Sequence, residues 1–591
     1  MLCVFPYLRA VNNPNEFVRV FTAMSIVERG TFRIDEPVQL WGWVNDLARV
    51  PSKEDGQPHY FMVKAPGVVY LGVPGYFFFS KVVAPALGKH FPTPDSSQEE
   101  RLWWLRMSTW SLRLFGVQIP CFLFLLWFER YLRAFTPDPV LRYAAVAAAG
   151  VGTNFLAYTH MFASHSPYAA AAFLAFALIE REKRLSRGDA LARRPTYAAL
   201  AGFLTSACVA FEYQSLFLAI ILSVYAVTVF WRPTRLVAFG LGGLLNAPPV
   251  MFFHWKAYGN PFTPGHQMLE TAAFAEEHKQ GLWGILWPSW DHIKALAVDP
   301  GFGFFGMSPF MWLGLVGVPI LLLSPQGPPT MRRSLRAATL VWFLACSALI
   351  GVNAGFVEWR AGWTVGPRYL VACGPFFAFG AACALERVAG ASRTRRAVVR
   401  GVAAGLALAS VVTIGTVGLL YDTLPENIGR PLTQFAIPMM RAGFVPHHVG
   451  EWFGVDGIGF WYVCCAAMLA APIVVGLGVR PERRSVYLMR AGLFAAALAG
   501  GLAPAFSDPE DGTERFVLHP STRAFLIAWE PQGRDRATLL RHEAERYGPR
   551  RPCPWYRLAD LERSLGRTGQ AARDEARAQG FPREKCPRTF F

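Results

Sequence analysis

The sequence predicts an all-α, multi-spanning membrane protein with about 12–13 transmembrane helices, and three observations favour this class. The chain has 591 residues, of which 53% are hydrophobic and 17% are charged, a balance that soluble proteins of this length rarely show. Apolar runs of roughly 18–23 residues, long enough to cross a bilayer as helices, recur along the chain. The basic residues lie between these runs, so the net charge of +17 reflects membrane topology and not a nucleic-acid partner.

The apolar runs set the predicted spans. The first, over residues 68–87, is short enough to lie along the membrane interface instead of crossing it. The others are predicted at 110–131, 143–163, 165–181, 197–211, 214–231, 235–256, 303–324, 336–355, 369–386, 399–421, 457–479 and 487–506. Residues 1–9 are apolar but too short to span, so we expect a further span ahead of them.

The loops between the spans differ in charge and so predict the orientation. Alternate loops, between residues 130 and 490, carry about 23 basic residues, whereas the short and medium loops opposite carry about seven. The positive-inside rule makes the basic loops cytoplasmic. The outer face then holds residues 11–109, the turn at Ser164 and His165, and the loops 257–302, 356–368 and 422–456. We therefore predict a bacterial inner-membrane protein with its active face and its C-terminal tail in the periplasm.

Three regions follow from this topology: a first periplasmic loop with juxtamembrane helices (1–109), a transmembrane helical domain (110–506) and a soluble helical tail (507–591). In the tail, apolar residues at three-to-four spacing predict amphipathic helices over 534–547 and 555–578. The pattern from Trp555 to Arg567 resembles a single tetratricopeptide-type hairpin, which needs a partner surface to bury its apolar face. Cys553 and Cys586 flank this pair, and outside the cytoplasm they form either a disulfide or two free thiols.

The polar first loop carries most of the candidate chemistry. Lys64 comes just before the Ala65-Pro66-Gly67 segment, where the chain re-enters the membrane, and Arg368 opens a later span on the same side. Both lie at the depth of a lipid phosphate, and an arginine can bind phosphate through two parallel hydrogen bonds. We predict that they bind the donor phosphate. The alternative is that they anchor the chain at the membrane interface.

Two carboxylates are the candidate catalytic bases. Glu16 opens an amphipathic helix over 17–28, where the helix N-terminus favours the anion. The alternative for Glu16 is a helix cap. Asp46, in the Trp43-Val44-Asn45-Asp46 segment, is the second candidate.

Five further residues are predicted to bind substrate. They are Asn15, His165 in its outer turn, Glu212 in a very short outer turn, Trp363 and Tyr369. His165 can bind a sugar hydroxyl, a phosphate oxygen or a metal, or be an ordinary hydrogen-bonded structural residue. Trp363 belongs to an aromatic rim suited to stacking on a sugar or, alternatively, to an interfacial belt. No acidic pair accompanies His160 and His165, so no metal ligands are assigned. No cofactor is certain, and a divalent metal stays possible.

These motifs resemble the GT-C superfamily of integral-membrane glycosyltransferases. Asn15-Glu16 with the helix behind it, the Lys64-Ala65-Pro66 segment and the many spans that follow look like the protein O-mannosyltransferases and the bacterial aminoarabinose transferases. Segments at 258–261, 303–309 and 363–369 look like a large bacterial branch of the same superfamily. The resemblance covers roughly residues 11–480 and implies a GT-C-like helical bundle.

The resemblance also implies an activity. The donor would be a polyprenyl-phosphate-linked sugar, and transfer to a sugar, lipid or protein acceptor of the cell envelope would occur at the outer face with inversion. Glu16 would deprotonate the acceptor, and Lys64 with Arg368 would hold the phosphate. Two positions depart from the family pattern, because Asn15 and His165 stand where the family has acidic residues. Either Glu16 or Asp46 serves as the base instead, or the activity is altered or lost.

Two other functions stay open at this point. A transporter or flippase for a lipid-linked sugar would need inverted repeats with matching broken helices, and the sequence shows no internal repeat. A non-catalytic envelope scaffold that keeps the GT-C fold is consistent with Asn15 and His165.

Overall fold

The computed structural model describes residues 4–5, 13–52, 55–185, 194–325, 327–424, 426, 428–441, 445–455, 458–478, 484–506, 541, 553–564, 566–578 and 582–583. These residues form a bundle of α-helices with one two-stranded antiparallel sheet. The predicted all-α class is confirmed, and a short hairpin in the first loop is added to it.

The first half of the chain contains the hairpin and ten helices in its described part. The strands are β1 (Leu47–Pro51) and β2 (Pro58–Met62). The helices are α1 (Pro14–Arg29), α2 (Asp35–Trp41), α3 (Gly67–Ala86), α4 (Gln98–Leu132), α5 (Pro139–Val151), α6 (Phe155–Thr159), α7 (His165–Arg184), α8 (Pro195–Phe211), α9 (Tyr213–Val229) and α10 (Pro233–Tyr258).

The second half begins with short helices in the loop after α10 and returns to long apolar ones. The helices are α11 (Ala272–Lys279), α12 (Trp290–Val298), α13 (Phe304–Met307), α14 (Met311–Leu323), α15 (Pro329–Gly355), α16 (Cys373–Ala389), α17 (Arg393–Leu420), α18 (Ile437–Arg441), α19 (Ile458–Gly478), α20 (Arg484–Phe506), α21 (Cys553–Ser564) and α22 (Thr568–Ala576). Single helical turns lie at Gly265–Met268, Arg368–Leu370, Pro431–Ala436 and Val449–Phe453.

The helix lengths fit a membrane protein. Within the described residues, seven helices are long and apolar enough to cross a bilayer, namely α3, α4, α10, α15, α17, α19 and α20, and α5, α8, α9 and α14 are shorter apolar helices. Every span predicted from the sequence overlaps one of the helices. Nearly all residues of α16 and most residues of α7 are buried, so these two form the centre of the bundle. The chain is a multi-pass membrane protein.

Three elements differ from the sequence-based expectation. The predicted span 143–163 is divided into α5 and α6, which are separated by a break at Gly152. The predicted amphipathic helix 555–578 is wrong as a single helix, because Gly566, with a φ of 76°, ends one helix and allows α22 to fold back on α21. The predicted helix 534–547 lies outside the described residues apart from Arg541, and Cys586 also lies outside them.

Close packing of α8 against α10 depends on two glycines. A Cβ atom on Gly202 would collide with the backbone oxygen of Phe239, and one on Gly242 would collide with that of Ala199. Small residues let the backbones of membrane helices approach closely. These glycines therefore fix the distance between α8 and α10.

We expect Gly202→Ala to destabilise the folded protein by about 1–3 kcal/mol, because the methyl group collides with backbone atoms that cannot rotate away. Thermal unfolding in detergent measures the effect. Gly492→Ala on α20 is the matched control, since its Cβ would meet no atom within 4 Å. Equal melting temperatures for the two variants would show that α8 and α10 do not pack closely enough for a Cβ atom at Gly202 to collide with α10.

Candidate functional site

A cavity of about 810 Å³ opens between the first loop, the junction of α8 with α9, and the loops on the predicted outer face. Its polar lining includes both acidic and basic side chains, while its walls are largely apolar. The polar and aromatic residues that line it are Asn13, Asn15, Asn45, Asp46, Lys64, Glu212, Tyr213, Gln214, Phe217, His254, Phe262, His266, His278, Trp283, Phe356, Glu358, Trp363, Arg368, Tyr369, Thr423 and Glu426. The cavity therefore holds every residue predicted to bind phosphate or substrate except His165, which lies directly behind it.

The hairpin brings Asp46 and Lys64 together. In its register Leu47 pairs with Met62, so Asp46 before β1 and Lys64 after β2 emerge side by side. The Nζ atom of Lys64 lies 3.0 Å from Oδ1 of Asp46, and both side chains stay partly exposed. Burial raises the pKa of Asp46, but the adjacent Lys64 ammonium and the Arg368 and Arg19 guanidiniums outweigh it and lower that pKa overall. Asp46 is therefore a stabilised carboxylate.

Gly67 holds the Lys64 segment against α8. A Cβ atom on Gly67 would lie 2.6 Å from the backbone oxygen of Ala210, which precedes Glu212 by two residues. Because this close approach needs a glycine, the start of α3 is fixed next to the end of α8. Lys64 and Glu212 consequently face the same cavity.

Arg368 lies where the loop after α15 turns into α16. Gly366, with a φ of 64°, makes the turn, and Asn154 holds the carbonyl oxygen of Pro367 with a hydrogen bond of 2.9 Å. The guanidinium of Arg368 donates to the hydroxyl of Tyr369 at 3.1 Å. Its Nε is buried and makes no hydrogen bond with any described residue. Arg368 thus has donor capacity left for a ligand.

Asn15, His165 and Glu212 form one connected group with two residues that the sequence analysis did not select, Arg19 and Ser164. Nδ2 of Asn15 lies 3.4 Å from Nε2 of His165, and the hydroxyl of Ser164 donates to Oε2 of Glu212 at 2.8 Å. The guanidinium of Arg19 donates to Oδ1 of Asn15 and, at 3.2 Å, to the hydroxyl of Ser164.

Glu16, the first candidate for the base, does not line the cavity. Its carboxylate receives two hydrogen bonds of 2.6 Å from Arg113 on α4 and one of 2.6 Å from the backbone N–H of Phe162. Only 1% of its surface is exposed. Asp422 lies 3.6 Å from the same guanidinium. A carboxylate saturated in this way cannot reach a substrate in the cavity, so the geometry favours a structural role for Glu16.

The outer rim of the cavity is acidic and aromatic. Burial, followed by the neighbouring Glu277 carboxyl, raises the pKa of Glu358 to about 7. Burial, followed by His278, lowers the pKa of His266 to about 4, so this imidazole is neutral at pH 7. Trp363 lines the same rim. The cationic side chains of the cavity, Lys64 and Arg368, lie apart from this acidic and aromatic rim.

No group of three or more His, Cys, Asp or Glu side chains in the described part of the chain is arranged to hold a metal ion. His160 and His165 are both buried, and they are accompanied by no such cluster.

A second, apolar groove of about 550 Å³ runs along α8, α9 and α10. Val209 and Leu216 line both this groove and the cavity, so the two are adjacent. The groove is lined by Gly202, Thr205, Ser206, Val209, Leu216, Ala219, Ile220, Ser223, Val224, Val227, Thr228, Phe239, Gly240 and Gly243. From Leu216 to Val227 it extends about 17 Å at the helical rise of 1.5 Å per residue.

Some solved structures are similar to this chain. The apo structure of ArnT from Cupriavidus metallidurans shares 16% identity over 87% of this chain and 74% of that one, with a TM-score of 0.40. ArnT from the same organism bound to undecaprenyl phosphate shares 16% identity over 89% and 85%, with a TM-score of 0.41. The arabinosyltransferase EmbB from Mycobacterium smegmatis shares 15% identity over 88% of this chain and 41% of its own length, with a TM-score of 0.38.

No family model matches the sequence, and no curated protein matches it. At these identities and TM-scores, the solved structures leave the chemistry to be judged from the residues of the cavity itself. The matched proteins are membrane glycosyltransferases of the GT-C type, the superfamily that the motifs of this chain resemble.

Proposed function

We propose that this protein is a membrane glycosyltransferase that moves a sugar from a polyprenyl-phosphate-linked donor to a cell-envelope acceptor at the outer face of the bacterial inner membrane. The observation that carries the proposal is that a cavity containing Lys64 and Arg368 adjoins an apolar groove at Val209 and Leu216. A lipid phosphate has this same division into an anionic head and a long apolar chain.

The phosphate is expected between Lys64 and Arg368. Lys64, just before the start of α3, offers a compact positive charge, and Arg368 has an Nε donor without a hydrogen bond to any described residue. Arg19 is buried behind them and adds positive potential without touching a ligand. Charged donors in a site shielded from water hold a phosphate more strongly than the same donors in bulk solvent.

The polyprenyl chain is expected in the groove along α8, α9 and α10. Its walls are aliphatic, and the side chains of Ile220, Val224 and Val227 are more than half exposed at its open side. This open side lets a lipid enter from the bilayer without crossing water. The head of the lipid then reaches the cavity at Val209.

The reaction needs few protein groups. An acceptor hydroxyl attacks the anomeric carbon of the donor sugar, a carboxylate takes the hydroxyl proton, and the lipid phosphate leaves with inverted configuration at the carbon. Lys64 and Arg368 stabilise the negative charge that develops on the leaving phosphate. Trp363 and Tyr369 offer aromatic faces to the sugar, and Asn15 offers a polar group at the cavity wall.

Filling the groove should prevent lipid binding. Gly240 faces the groove from α10, and a Cβ atom there would meet nothing within 4 Å, so Gly240→Phe adds a ring without a backbone collision. We expect this variant to bind radiolabelled undecaprenyl phosphate at least tenfold more weakly than the wild type, because the ring takes the place of the lipid chain.

The matched control is Gly492→Phe on α20, where a Cβ atom also meets no neighbour within 4 Å. It should bind the lipid as the wild type does. If Gly240→Phe and Gly492→Phe bind equally, the lipid does not use this groove. If the wild type does not bind undecaprenyl phosphate, the proposed donor class is wrong.

A further inference from the structure

We propose that Glu212 is the general base that removes the proton from the acceptor hydroxyl, and that His165 and Ser164 are residues that position its carboxylate. This inference rests on the proposed transferase function and assigns a role within the same cavity. It starts from the connected group of Arg19, Asn15, His165, Ser164 and Glu212.

The hydrogen bonds determine the orientation of Asn15. A guanidinium can only donate, so the contact from Arg19 requires the amide oxygen of Asn15 on that side. The amide nitrogen therefore faces Nε2 of His165, at 3.4 Å. Because this nitrogen also only donates, Nε2 of His165 is the acceptor.

The tautomer of His165 follows from this orientation. A neutral imidazole that accepts at Nε2 carries its proton on Nδ1. Nδ1 of His165 lies 3.6 Å from Oε2 of Glu212 and makes no hydrogen bond with any described residue. His165 is 1% exposed and packs against the rings of Tyr158 and Tyr369. The N–H thus faces the carboxylate from a fixed position.

One oxygen of Glu212 is held while the other is open. Oε2 accepts the hydroxyl of Ser164 at 2.8 Å and faces the N–H of His165. Oε1 makes no hydrogen bond with the described residues, and the side chain is 17% exposed where it lines the cavity. Glu212 is also the residue that breaks the chain between α8 and α9, with an extended backbone at φ −149° and ψ 115°. An anchored carboxylate with one open oxygen is the arrangement that proton abstraction needs.

The other carboxylates suit this task less well. Glu16 is saturated by Arg113 and the Phe162 N–H, outside the cavity. Asp46 is paired with Lys64, which the phosphate also needs, and this ion pair makes Asp46 a weaker base. Glu212 has no lysine or arginine within ion-pairing distance in the described residues, and it lines the same cavity as Lys64 and Arg368.

The acceptor O–H bond breaks and its proton goes to Oε1 of Glu212, while the acceptor oxygen forms a bond to the anomeric carbon. The bond from that carbon to the phosphate oxygen breaks, and the electron pair leaves with the polyprenyl phosphate. Glu212 becomes neutral and the phosphate gains one negative charge, so the total charge is unchanged. The proton then passes to water when the products leave.

The test uses the full-length protein with undecaprenyl phosphates carrying a pentose, a hexose or an amino sugar, and cell-envelope membranes as the acceptor source. Release of undecaprenyl phosphate measures turnover, and binding of undecaprenyl phosphate is measured separately. We expect Glu212→Gln to lower kcat by roughly 10²- to 10⁴-fold with lipid binding unchanged. Glu212→Asp should recover part of the loss.

His165→Gln should lower kcat by about tenfold or more without raising KM for the donor, since a positioning residue affects the proton transfer and not lipid binding. Glu270→Gln is the control, because that carboxylate is bound by Trp43 and Tyr60 and does not line the cavity. Retained turnover in Glu212→Gln would overturn the assignment, and its loss in Asp46→Asn alone would transfer the role to Asp46. If the wild type binds undecaprenyl phosphate but releases none from any of the three donors, both the assignment of Glu212 as the base and the proposed transferase function are wrong. If the wild type does not bind undecaprenyl phosphate, the proposed donor site is wrong, and with it the role of Glu212 beside that site.

Discussion

Replacing Lys64 or Arg368 with alanine should weaken the binding of undecaprenyl phosphate roughly 10- to 150-fold for each residue, and the double variant should show no measurable binding. The range follows from about 1.5–3 kcal/mol for a hydrogen bond to a charged group, at 1.4 kcal/mol for each factor of ten. Arg368 also loses its hydrogen bond to Tyr369. Equilibrium binding of the radiolabelled lipid to the purified protein measures both changes, and transfer should be lost with binding.

The Asp46–Lys64 ion pair provides a second test of whether Lys64 binds the phosphate. If Lys64 is shared between Asp46 and the phosphate, removing the carboxylate frees the ammonium, so Asp46→Asn should bind the lipid more tightly than the wild type. Lys64→Ala leaves Asp46 as an uncompensated anion in the cavity and should therefore be the weaker-binding of the two single alanine variants.

Two controls separate phosphate binding from general effects of charge. Lys81 pairs with Glu28 and does not line the cavity, so Lys81→Ala should bind the lipid normally. Arg368→Lys keeps the charge but loses the planar pair of donors, so its binding should fall between those of Arg368→Ala and the wild type. Normal binding in Lys64→Ala and Arg368→Ala would mean that both residues are interfacial anchors, the alternative that their sequence positions allow.

The spans could be predicted from the sequence because each depends on a local apolar run. Helix α1 was predictable for the same reason, with apolar residues at helical spacing and Gly30 at its end in the left-handed region. The sequence also indicated that Lys64, Arg368 and Glu212 lie on the same face of the membrane. Their roles stay predictions, because loop positions alone do not determine distances inside a cavity.

What the sequence did not predict depends on contacts between distant residues. Glu16 and Arg113 are 97 residues apart, and nothing near Glu16 shows that its carboxylate is already saturated. The Asp46–Lys64 pair depends on the hairpin, for which a signal existed, because the Asp55-Gly56 dipeptide is typical of a tight turn and Gly56 has a φ of 70°. Arg19 carried no sequence signal, since an arginine inside an amphipathic helix is usually exposed.

Asn15 and His165 show how two departures from a family pattern acquire a physical meaning. Separately, each removes an acidic residue from a position where one is expected. In the structure they contact each other at 3.4 Å, and His165 faces the carboxylate of Glu212 at 3.6 Å. The acidic group next to the cavity is therefore supplied by a third position, and this favours an enzyme over a scaffold that has lost its site.

The Glu16–Arg113 ion pair gives the largest expected effect on stability. Both side chains are almost fully buried, at 1% and 4% exposure, and removing one partner leaves a charge that water cannot reach. Breaking a buried pair in this way costs about 3–5 kcal/mol. We expect Glu16→Gln and Arg113→Ala to lower the thermal unfolding temperature in detergent far more than any cavity variant.

The two variants should differ in a definite order. After Glu16→Gln, Arg113 still has Asp422 at 3.6 Å as a partner, whereas after Arg113→Ala both Glu16 and Asp422 lose their cation. Burial raises the pKa of Asp422 to about 6, so that carboxyl can become neutral, and the main cost of Arg113→Ala comes from the Glu16 carboxylate, which keeps only the Phe162 N–H. Arg113→Ala should therefore be the less stable protein. The double variant Glu16→Gln/Arg113→Met should recover much of the loss, because it leaves no uncompensated charge from the pair.

The same measurements decide what Glu16 does. If its role is structural, the folded fraction of Glu16→Gln at low temperature should bind undecaprenyl phosphate and release it from donors at close to the wild-type rate. A variant with wild-type stability and no turnover would instead restore Glu16 as the base and would require the first loop to open, because Arg113 and the Phe162 N–H occupy both carboxylate oxygens in the closed arrangement. Opening would break the Glu16–Arg113 ion pair and expose the Arg113 guanidinium, which is now 4% exposed. This rearrangement is costly while the ion pair is intact. The unfolding temperature of Glu16→Gln therefore measures the structural contribution of the ion pair, and its turnover at a temperature where it is folded decides whether Glu16 is also the base.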